Sequence, residues 1–159
     1  MMTRNSADPN QNSTGASAAQ SALAAENDHD LRVPYYCEEN VWRLARRKME
    51  EPSQDRYFVC FISNETKSVA MFHQKATSPN DDHPIIWDYH VILLSWSRTD
   101  KQVTVYDIDS CLPYPLSLDL YLRDSFTRHG RNFGAPYAPR FRLVPAQMFL
   151  TYFTSNRSH

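Results

Sequence analysis

The chain has 159 residues, of which 42% are hydrophobic, 13% aromatic and 22% charged, and its formal net charge is −1. This length is typical of a single domain, and the aromatic content excludes disorder throughout the chain. With 17 basic and 18 acidic residues there is no positive excess for binding nucleic acid. No apolar run is long enough for a membrane-spanning helix, and the polar start lacks a secretory signal. We therefore expect neither a nucleic-acid nor a membrane partner.

The three cysteines bear on the compartment in which the protein works. Cys37, Cys60 and Cys111 are odd in number and contain no CxxC spacing. This pattern is typical of free thiols in a reducing compartment, and it argues against a disulfide framework or a zinc site. We therefore expect no metal.

Residues 1–30 differ in composition from the rest of the chain. They contain no Val, Ile, Phe, Tyr or Trp, and all twenty aromatic residues follow position 34. Such a segment buries too little apolar area to offset the entropy lost on ordering. We predict a disordered polar tail over 1–30 and a single folded domain over 31–159.

The first predicted element is a helix between Pro34 and Pro52. Val41, Leu44, Ala45 and Met49 recur there at helical spacing, with acids in the first turn and bases later, as the helix dipole favours. After Pro52 the apolar period changes to two, which indicates strands. The predicted strands are 57–63, 68–76, 85–96 and 102–108, followed by a helix over 116–126 and a strand leading into a short helix over 140–153. A helix, an antiparallel meander, then a helix and a strand predict an α+β fold.

Cys37 is the first candidate for chemistry because it stands at the start of the first predicted helix. Backbone N–H groups and the helix dipole favour a thiolate at that position. Glu38 and Glu39 oppose this effect, so a reactive thiol there needs an imidazolium partner. The ordinary role of a cysteine taken alone is that of a small buried hydrophobe, and we expect this role for Cys60 and Cys111.

His90 is the candidate partner because it lies in the most apolar of the predicted strands. Pleating places it on one face with Asp88 and Ile92. A histidine in this position can also be a hydrogen-bonded core residue, so the case for chemistry depends on its neighbours.

The next strand offers two carboxylates to His90. A hairpin with a two-residue loop at 98–99 places His90 opposite Asp107. A turn centred one residue later places it opposite Asp109, with Asp107 on the diagonal. Spacing does not choose between them, and the YDID segment alone is equally consistent with an acidic turn. Together, a cysteine, a histidine and an aspartate placed in this way can serve as nucleophile, base and orienting group.

Six segments of the chain resemble the protein N-terminal glutamine amidohydrolase family. In the family's order they are YYCEENVW (35–42), FISN (61–64), IWDYHVILL (86–94), YDIDSCLPYP (106–115), RFRLVPA (140–146) and SNRSH (155–159). The CEENVW and WDYHV motifs are highly specific. The resemblance implies a papain- and transglutaminase-like α+β fold, in which an N-terminal helix carrying the cysteine packs on an antiparallel sheet.

The resemblance also implies the reaction and its residues. The family's Cys–His–Asp triad falls on Cys37, His90 and Asp107, the first aspartate of YDID. It implies deamidation of N-terminal glutamine to glutamate, with release of ammonia through a thioester and without a cofactor. The expected partners are proteins or peptides with a free N-terminal Gln. The expected context is the arginylation branch of the N-degron pathway, in the cytoplasm and also the nucleus, with the protein acting as a monomer.

Recognition of an N-terminus requires a group that binds an α-ammonium, and a carboxylate near the thiol suits this task. Glu38 and Asp88 are the candidates, whereas Glu39 is more typical of a solvated helix face. Tyr36 and Trp87 are candidates to line the substrate pocket, although packing in the core is the default role of a strand tryptophan.

Two alternatives to this function remain open at this point. A cysteine peptidase or a transglutaminase-like acyl transferase would use the same triad on a backbone amide or on an internal Gln. Family members also continue past the SNRSH motif, so we expect the 31–159 catalytic domain to be truncated at its C-terminus relative to the family. A truncated, non-catalytic form is the second alternative.

Overall fold

The computed structural model describes residues 23–24, 26–77, 83–128 and 131–153. These residues form helices and antiparallel strands, which confirms the predicted α+β class. The elements are α1 (Cys37–Glu50), β1 (Arg56–Ser63), β2 (Val69–Met71), β3 (Ile85–Trp87), β4 (Tyr89–Trp96), β5 (Val103–Tyr106), β6 (Leu116–Ser117), α2 (Leu118–Phe126), β7 (Thr127–Arg128), β8 (Arg131–Asn132), a 3₁₀-helix (Ala135–Tyr137), β9 (Arg140–Pro145) and α3 (Ala146–Tyr152).

The structure describes folded residues that precede the predicted domain boundary. Residues 26–29 are helical, and the side chain of Asp28 is only 1% exposed. Its carboxylate lies 2.9 Å from Lys48 Nζ and accepts a hydrogen bond of 3.0 Å from the Tyr114 hydroxyl. The end of the predicted tail is thus part of the fold. Lys48 and Tyr114 bind the buried carboxylate of Asp28, which composition alone would place in solvent. Most of the remaining tail lies outside the described residues.

Helix α1 forms between the two prolines, as predicted. Acidic residues lie in its first turn and basic residues in its last, and the chain becomes extended at Glu51, before Pro52. Val41, Leu44 and Ala45 are buried against the sheet, whereas Met49 of the predicted stripe is exposed because it lies in the last turn of the helix. Like every helix in the described part of the chain, α1 does not have the length and apolar character needed to cross a membrane.

A five-stranded antiparallel sheet in the order β6-β5-β4-β1-β9 forms the centre of the fold. Because side chains alternate along each strand, the sheet separates two apolar clusters. One contains Leu44 of α1 and Leu93 of β4, and the other contains Ile92 of β4 and Tyr121 of α2. Helices α1 and α2 therefore contribute to opposite faces of the sheet.

Strands β2 and β3 depart from the predicted meander. They pair only with each other, as a separate two-stranded sheet. The strand predicted over 68–76 is limited to β2, and His73 soon after it has a φ of 56°, which is not extended backbone. The strand predicted over 85–96 is broken at Asp88, whose carboxylate accepts the Tyr89 N–H at 2.9 Å. The break allows β3 and β4 to enter different sheets.

The β4–β5 hairpin adopts the second of the two registers considered above. Leu93 pairs with Tyr106 and Trp96 pairs with Val103. Continued beyond the strand, this register would place residue 109 opposite His90. Strand β5 ends at Tyr106, however, so both aspartates follow the strand, and their positions depend on the turn that begins there.

Candidate active site

Cys37 is the first residue of α1, and its side chain is half-buried. No side chain caps this end of the helix, and the first backbone N–H groups of a helix have no acceptor within it. The chain enters the helix through Tyr35, whose φ of 68° is left-handed. Such backbone conformations are costly for residues other than glycine and cluster at functional sites.

Asn40 holds the chain that precedes Cys37. Its side-chain amide donates to the Val33 carbonyl and accepts the Val33 N–H, both at 2.8 Å. The same Nδ2 lies 3.4 Å from Asp109 Oδ2. Asn40 is fully buried, and its side-chain amide hydrogen-bonds to the backbone of the segment that precedes Cys37. The position of Cys37 is therefore tied to the turn after β5.

His90 lies at the start of β4 and is fully buried. Its Nε2 is 3.2 Å from Asp107 Oδ1. Its Nδ1 has no hydrogen-bond partner of usual geometry within the described ranges, and it is the ring nitrogen left for the Cys37 thiol. Cys37 is close enough to act on the imidazole by hydrogen bonding and by charge. The structure thus brings Cys37, His90 and Asp107 together.

Electrostatics favour a charged pair at the centre of this group. Burial by itself lowers the pKa of His90, but the charge and hydrogen bond of Asp107, helped by Cys37, outweigh burial and raise it to about 10. Burial would raise the pKa of Asp107, but His90 and two further hydrogen-bond donors hold it below its usual value. The geometry therefore supports imidazolium and carboxylate over a wide pH range.

The two aspartates after β5 have different partners. Asp107 is the one that meets His90, and its other oxygen, Oδ2, accepts a hydrogen bond of 2.7 Å from the Tyr121 hydroxyl. The backbone N–H of Asp109 donates to Asp107 Oδ1 at 3.0 Å. The carboxylate of Asp109 instead accepts from Arg32 Nε at 2.7 Å. The contact therefore falls to the aspartate on the diagonal.

Aromatic rings cover the imidazole. Trp87 stacks on His90 with ring centroids 5.4 Å apart and an interplanar angle of 19°. Tyr35 lies against Trp87 at 6.5 Å between centroids. The indole Nε1 of Trp87 is buried and has no hydrogen-bond partner within the described ranges. Tyr36, the tyrosine predicted to line the pocket, is 55% exposed, so the aromatic contact with Trp87 belongs to its neighbour.

The acidic candidates near the thiol are distinguished by their contacts. Glu38 hydrogen-bonds to Tyr89, whose pKa is raised by burial and by the charges of Glu38, Cys37 and Asp88. Glu39 pairs with Arg43 at 2.8 Å, one helical turn away. Asp88 is exposed and accepts its neighbour's backbone N–H. Glu38 is thus the one of these acids that hydrogen-bonds to Tyr89, a side chain on which Cys37 also acts by charge.

The remaining cysteines lie elsewhere. Cys60 is buried in β1, and burial raises the pKa of its thiol to about 12, as expected of a packing residue. Cys111 is exposed, contrary to the buried role expected for it. Within the part of the chain that the structure describes, no group of three or more His, Cys, Asp or Glu side chains is arranged to hold a metal ion.

Three contacts of the site could not be predicted from the sequence. Tyr121 lies in a helix 14 positions after Asp107, and nothing in its local pattern indicates the contact. Tyr89 lies next to His90 and Tyr35 lies next to Tyr36, so their places in the WDYHV and YYCEENVW segments were the one feature of the sequence that could indicate a role. The direction in which each side chain points does not follow from strand alternation or from the sequence before a helix.

A half-buried thiol at a helix start, next to a buried imidazole that is bonded to a carboxylate, is the arrangement found in enzymes with a cysteine nucleophile. The profile of the N-terminal glutamine amidase family matches residues 32–159. The chain belongs to this family.

Relatives from animals and plants agree with the family match, and the three described here are each named protein N-terminal glutamine amidohydrolase. The Danio rerio protein is 36% identical over 151 residues, 93% of this chain and 72% of the relative. The Arabidopsis thaliana protein is 41% identical over 142 residues, 86% of this chain and 63% of the relative. The Homo sapiens protein is 39% identical over 127 residues, 78% of this chain and 60% of the relative. The chain therefore spans roughly two thirds of the length of these relatives.

Proposed function

We propose that this protein hydrolyses the side-chain amide of a glutamine at the N-terminus of a protein or peptide, giving glutamate and ammonia. Cys37 is the nucleophile, His90 the general acid and base, and Asp107 the group that orients and charges His90. The observation that carries the proposal is the contact of the three residues, with Nε2 of His90 3.2 Å from Asp107, in a chain of the N-terminal glutamine amidase family.

The reaction proceeds in two balanced steps. Cys37 Sγ attacks the side-chain amide carbon, and the tetrahedral intermediate expels ammonia as His90 gives its proton to the leaving nitrogen. Water then attacks the thioester while His90 takes its proton, and cleavage of the C–S bond releases glutamate and regenerates the thiolate. The uncapped backbone N–H groups at the start of α1 stabilise the oxyanion in both steps.

The carboxylate of Asp107 gives His90 its acidic function. An imidazole that is neutral cannot protonate the departing nitrogen, and burial alone would make His90 neutral. With the pKa of His90 raised to about 10, the imidazolium persists through neutral pH. Activity is therefore expected to decline on the alkaline side as His90 loses its proton.

The preference for an N-terminus rests on Glu38 in this proposal. Its carboxylate hydrogen-bonds to Tyr89, and Cys37 is near enough to act on the same tyrosine by charge, so in this proposal Glu38 binds the α-ammonium of a substrate whose side chain reaches the thiol. Trp87 lines the pocket with a buried indole N–H that is not otherwise used among the described residues. Asp88 and Tyr36 are exposed, and the proposal gives them contacts only with the solvent-facing part of the substrate.

The fold and the biological context belong to the same proposal. A cysteine on a helix that packs against an antiparallel sheet supports a papain- or transglutaminase-like fold. The product carries an N-terminal glutamate, and the resemblance found in the sequence supports a place for it in the arginylation branch of the N-degron pathway.

The test is incubation of the protein with a peptide that begins with glutamine, followed by measurement of ammonia release and by mass spectrometry of the product. The same peptide with an acetylated N-terminus and a peptide with only an internal Gln are the matched controls. We expect reaction of the free N-terminal Gln alone, at a rate that a chelator leaves unchanged. Efficient deamidation of the internal Gln would contradict the proposal in favour of a transglutaminase-like activity, and cleavage of the peptide chain would favour a peptidase.

Glu38→Gln and Asp88→Asn separate the two candidates for binding the ammonium group. Glu38→Gln should raise the KM for the Gln peptide about tenfold or more, because it removes a charge-assisted contact with the substrate. Asp88→Asn, the matched isosteric change at the exposed position, should leave KM within about twofold. The reverse result would assign the ammonium group to Asp88.

A further inference from the structure

The hydroxyl of Tyr121 is the one side-chain donor to Asp107, other than His90, among the described contacts of that carboxylate. It donates to Oδ2 at 2.7 Å, whereas His90 lies on Oδ1 at 3.2 Å. Tyr121 projects from α2, which packs on the face of the sheet opposite α1. The reactive group therefore receives a contact from the helix that does not carry the cysteine.

The hydrogen bond from Tyr121 stabilises the buried charge of Asp107. The residue is 5% exposed, and a buried carboxylate is costly unless each oxygen has donors. On Oδ1 it has the backbone N–H of Asp109 at 3.0 Å in addition to His90. On Oδ2 the described donor is the Tyr121 hydroxyl, and this hydroxyl remains protonated because burial raises the pKa of Tyr121 well above its usual value.

The same contact fixes the direction of the carboxylate. With one oxygen held from α2 and the other held by the turn after β5, the carboxyl plane cannot rotate freely about the bond to Cβ. The distance from Asp107 Oδ1 to His90 Nε2 depends on that plane. Loss of the Tyr121 hydroxyl would leave Oδ2 buried without a side-chain donor, and the carboxyl group would then rotate or take up a proton.

We propose that Tyr121 is a positioning residue of the active site, which acts through Asp107 to keep the carboxylate ionised and aimed at His90. The inference rests on the proposed function for its effect on turnover. Its effect on the thiol does not depend on the identity of the substrate, so the two can be tested separately.

Titratable and charged groups face Asp107 from several elements of the fold. They are His90 of β4, Tyr121 of α2, Asp109 of the turn after β5, His29 of the segment before α1 and Lys75 of the loop after β2. Among these, His90, Tyr121 and the backbone N–H of Asp109 are hydrogen-bonded to the carboxylate, and His29 and Lys75 act through charge alone. Tyr114, in the loop after β5, is uncharged because burial raises the pKa of its hydroxyl, so it exerts no charge on Asp107.

The test is the Tyr121→Phe variant, which removes one oxygen and keeps the ring in its apolar cluster. The first readout is the rate at which iodoacetamide alkylates Cys37, measured against pH by peptide mass spectrometry. Without the hydroxyl the carboxylate of Asp107 holds the imidazolium less firmly, so the pKa of His90 falls from its raised value. We expect the alkaline step of the alkylation profile, at which the imidazolium beside the thiol loses its proton, to move downward by about one pH unit.

The second readout is turnover of a peptide with an N-terminal Gln. We expect kcat to fall about tenfold or more and KM to stay within about twofold, because Tyr121 does not face the substrate. In the Asp107→Asn background the same change should cost nothing further, as expected of a residue that acts through Asp107. A shifted alkylation profile in a protein that deamidates no peptide would support the role of Tyr121 and contradict the proposed function.

Tyr114→Phe is the matched control. Tyr114 also donates to a buried carboxylate, that of Asp28 at 3.0 Å, so both variants lose the same kind of bond. Only Tyr121→Phe should move the alkylation profile. An unchanged profile and an unchanged kcat in folded Tyr121→Phe, or equal changes in both variants, would overturn the inference.

If Tyr121→Phe does not fold, the unaltered protein still provides a test. With tyrosine labelled by ¹³C at Cζ, the Tyr121 signal should shift over the same pH range as the alkaline step of Cys37 alkylation, because the charge of His90 reaches Tyr121 through Asp107. A Tyr121 signal that is constant across that step would overturn the inference.

Discussion

Two clusters at the same end of the sheet use neighbouring aspartates for different purposes. The reactive cluster consists of Cys37, His90, Asp107 and Tyr121, and the anchoring cluster consists of Arg32, Asn40 and Asp109. Asp107 is bonded to a histidine and a tyrosine, whereas Asp109 is bonded to an arginine and an asparagine. Both carboxylates are buried, so burial does not distinguish them.

The difference lies in what the partners can do. Arg32 carries a permanent charge and cannot exchange a proton in the accessible pH range, so its pair with Asp109 holds the chain in place. His90 can gain and lose a proton, so its pair with Asp107 can take part in chemistry. The anchoring cluster fixes the segment before Cys37 to the turn that carries Asp107, and thereby sets the geometry within which the reactive cluster works.

The largest expected effect is that of removing the nucleophile. Cys37→Ala should abolish deamidation of an N-terminal Gln peptide, because no other group in the reactive cluster can form the acyl intermediate. Cys111→Ala, the matched change at an exposed cysteine outside both clusters, should retain most of the activity. Ammonia release measured for both variants checks the prediction, and turnover by Cys37→Ala at the normal rate would remove Cys37 from the mechanism.

The next effect is that of Asp107→Asn, which keeps the shape of the side chain and removes its charge. We expect turnover to fall by at least ~10², the lower end of effects for a positioned acid–base group. The loss should be smaller than the ~10⁴ known for the equivalent change in a serine triad, because a thiol ionises more easily than a serine hydroxyl. Steady-state kinetics, with circular dichroism to verify folding, provides the measurement. Retention of full activity would show that His90 works without this carboxylate.

The stability cost of the same variant should depend on pH. The pKa of His90 is raised in the folded protein to about 10 from its ordinary value of 6.5, so its contribution to stability is complete below pH 6.5 and is lost as pH rises toward 10. The pKa of Asp107 is lowered, so its contribution is lost only in acid. Urea unfolding should therefore show a larger difference between the unaltered protein and Asp107→Asn at pH 6 than at pH 9. An equal difference at both values would contradict the charged pair.

The smallest effect on activity is expected in the anchoring cluster. Asp109→Asn leaves the Arg32 charge without its partner, and the free energy of unfolding should fall by about 1–3 kcal/mol. Turnover should remain within about tenfold of the unaltered protein, because the Asp109 backbone N–H on Asp107 is retained. Urea unfolding and kinetics on the same preparation test both statements. A dead Asp109→Asn beside an active Asp107→Asn would exchange the roles of the two clusters.

The sequence was sufficient for the elements whose signals are local. Helix α1 was predictable because two prolines, a helical apolar stripe and dipole-matched charges agree over one short segment. The hairpin at 97–101 and the strand–helix unit at 140–153 also carry their own turn and period signals. The broken strand at Asp88 was not predictable, since an unbroken apolar run does not show which sheet each half will join.

For the site, the sequence supplied the residue types, and motif likeness supplied the pairing. Spacing left His90 with two possible carboxylates, and the observed register is the one that puts residue 109 opposite it. Asp107 makes the contact because the chain turns after Tyr106 and because the carboxylate of Asp109 is paired with Arg32. Strand register predicts which residues lie opposite each other only where both strands are extended, and β5 ends at Tyr106.

The sequence by itself thus determined the fold class, the helix that begins at Cys37 and the three residue types of the site, because these depend on period, composition and short motifs. The family resemblance pointed to Asp107, and the tertiary structure supplied the physical reason for its contact with His90 in place of Asp109. The tertiary structure alone decided two other features, the contact of Tyr121 with the carboxylate and the burial of Asp28 at the end of a polar segment. Each of these joins side chains from separate elements, and their partners are set by packing and by the need to satisfy buried charges, which no local pattern encodes.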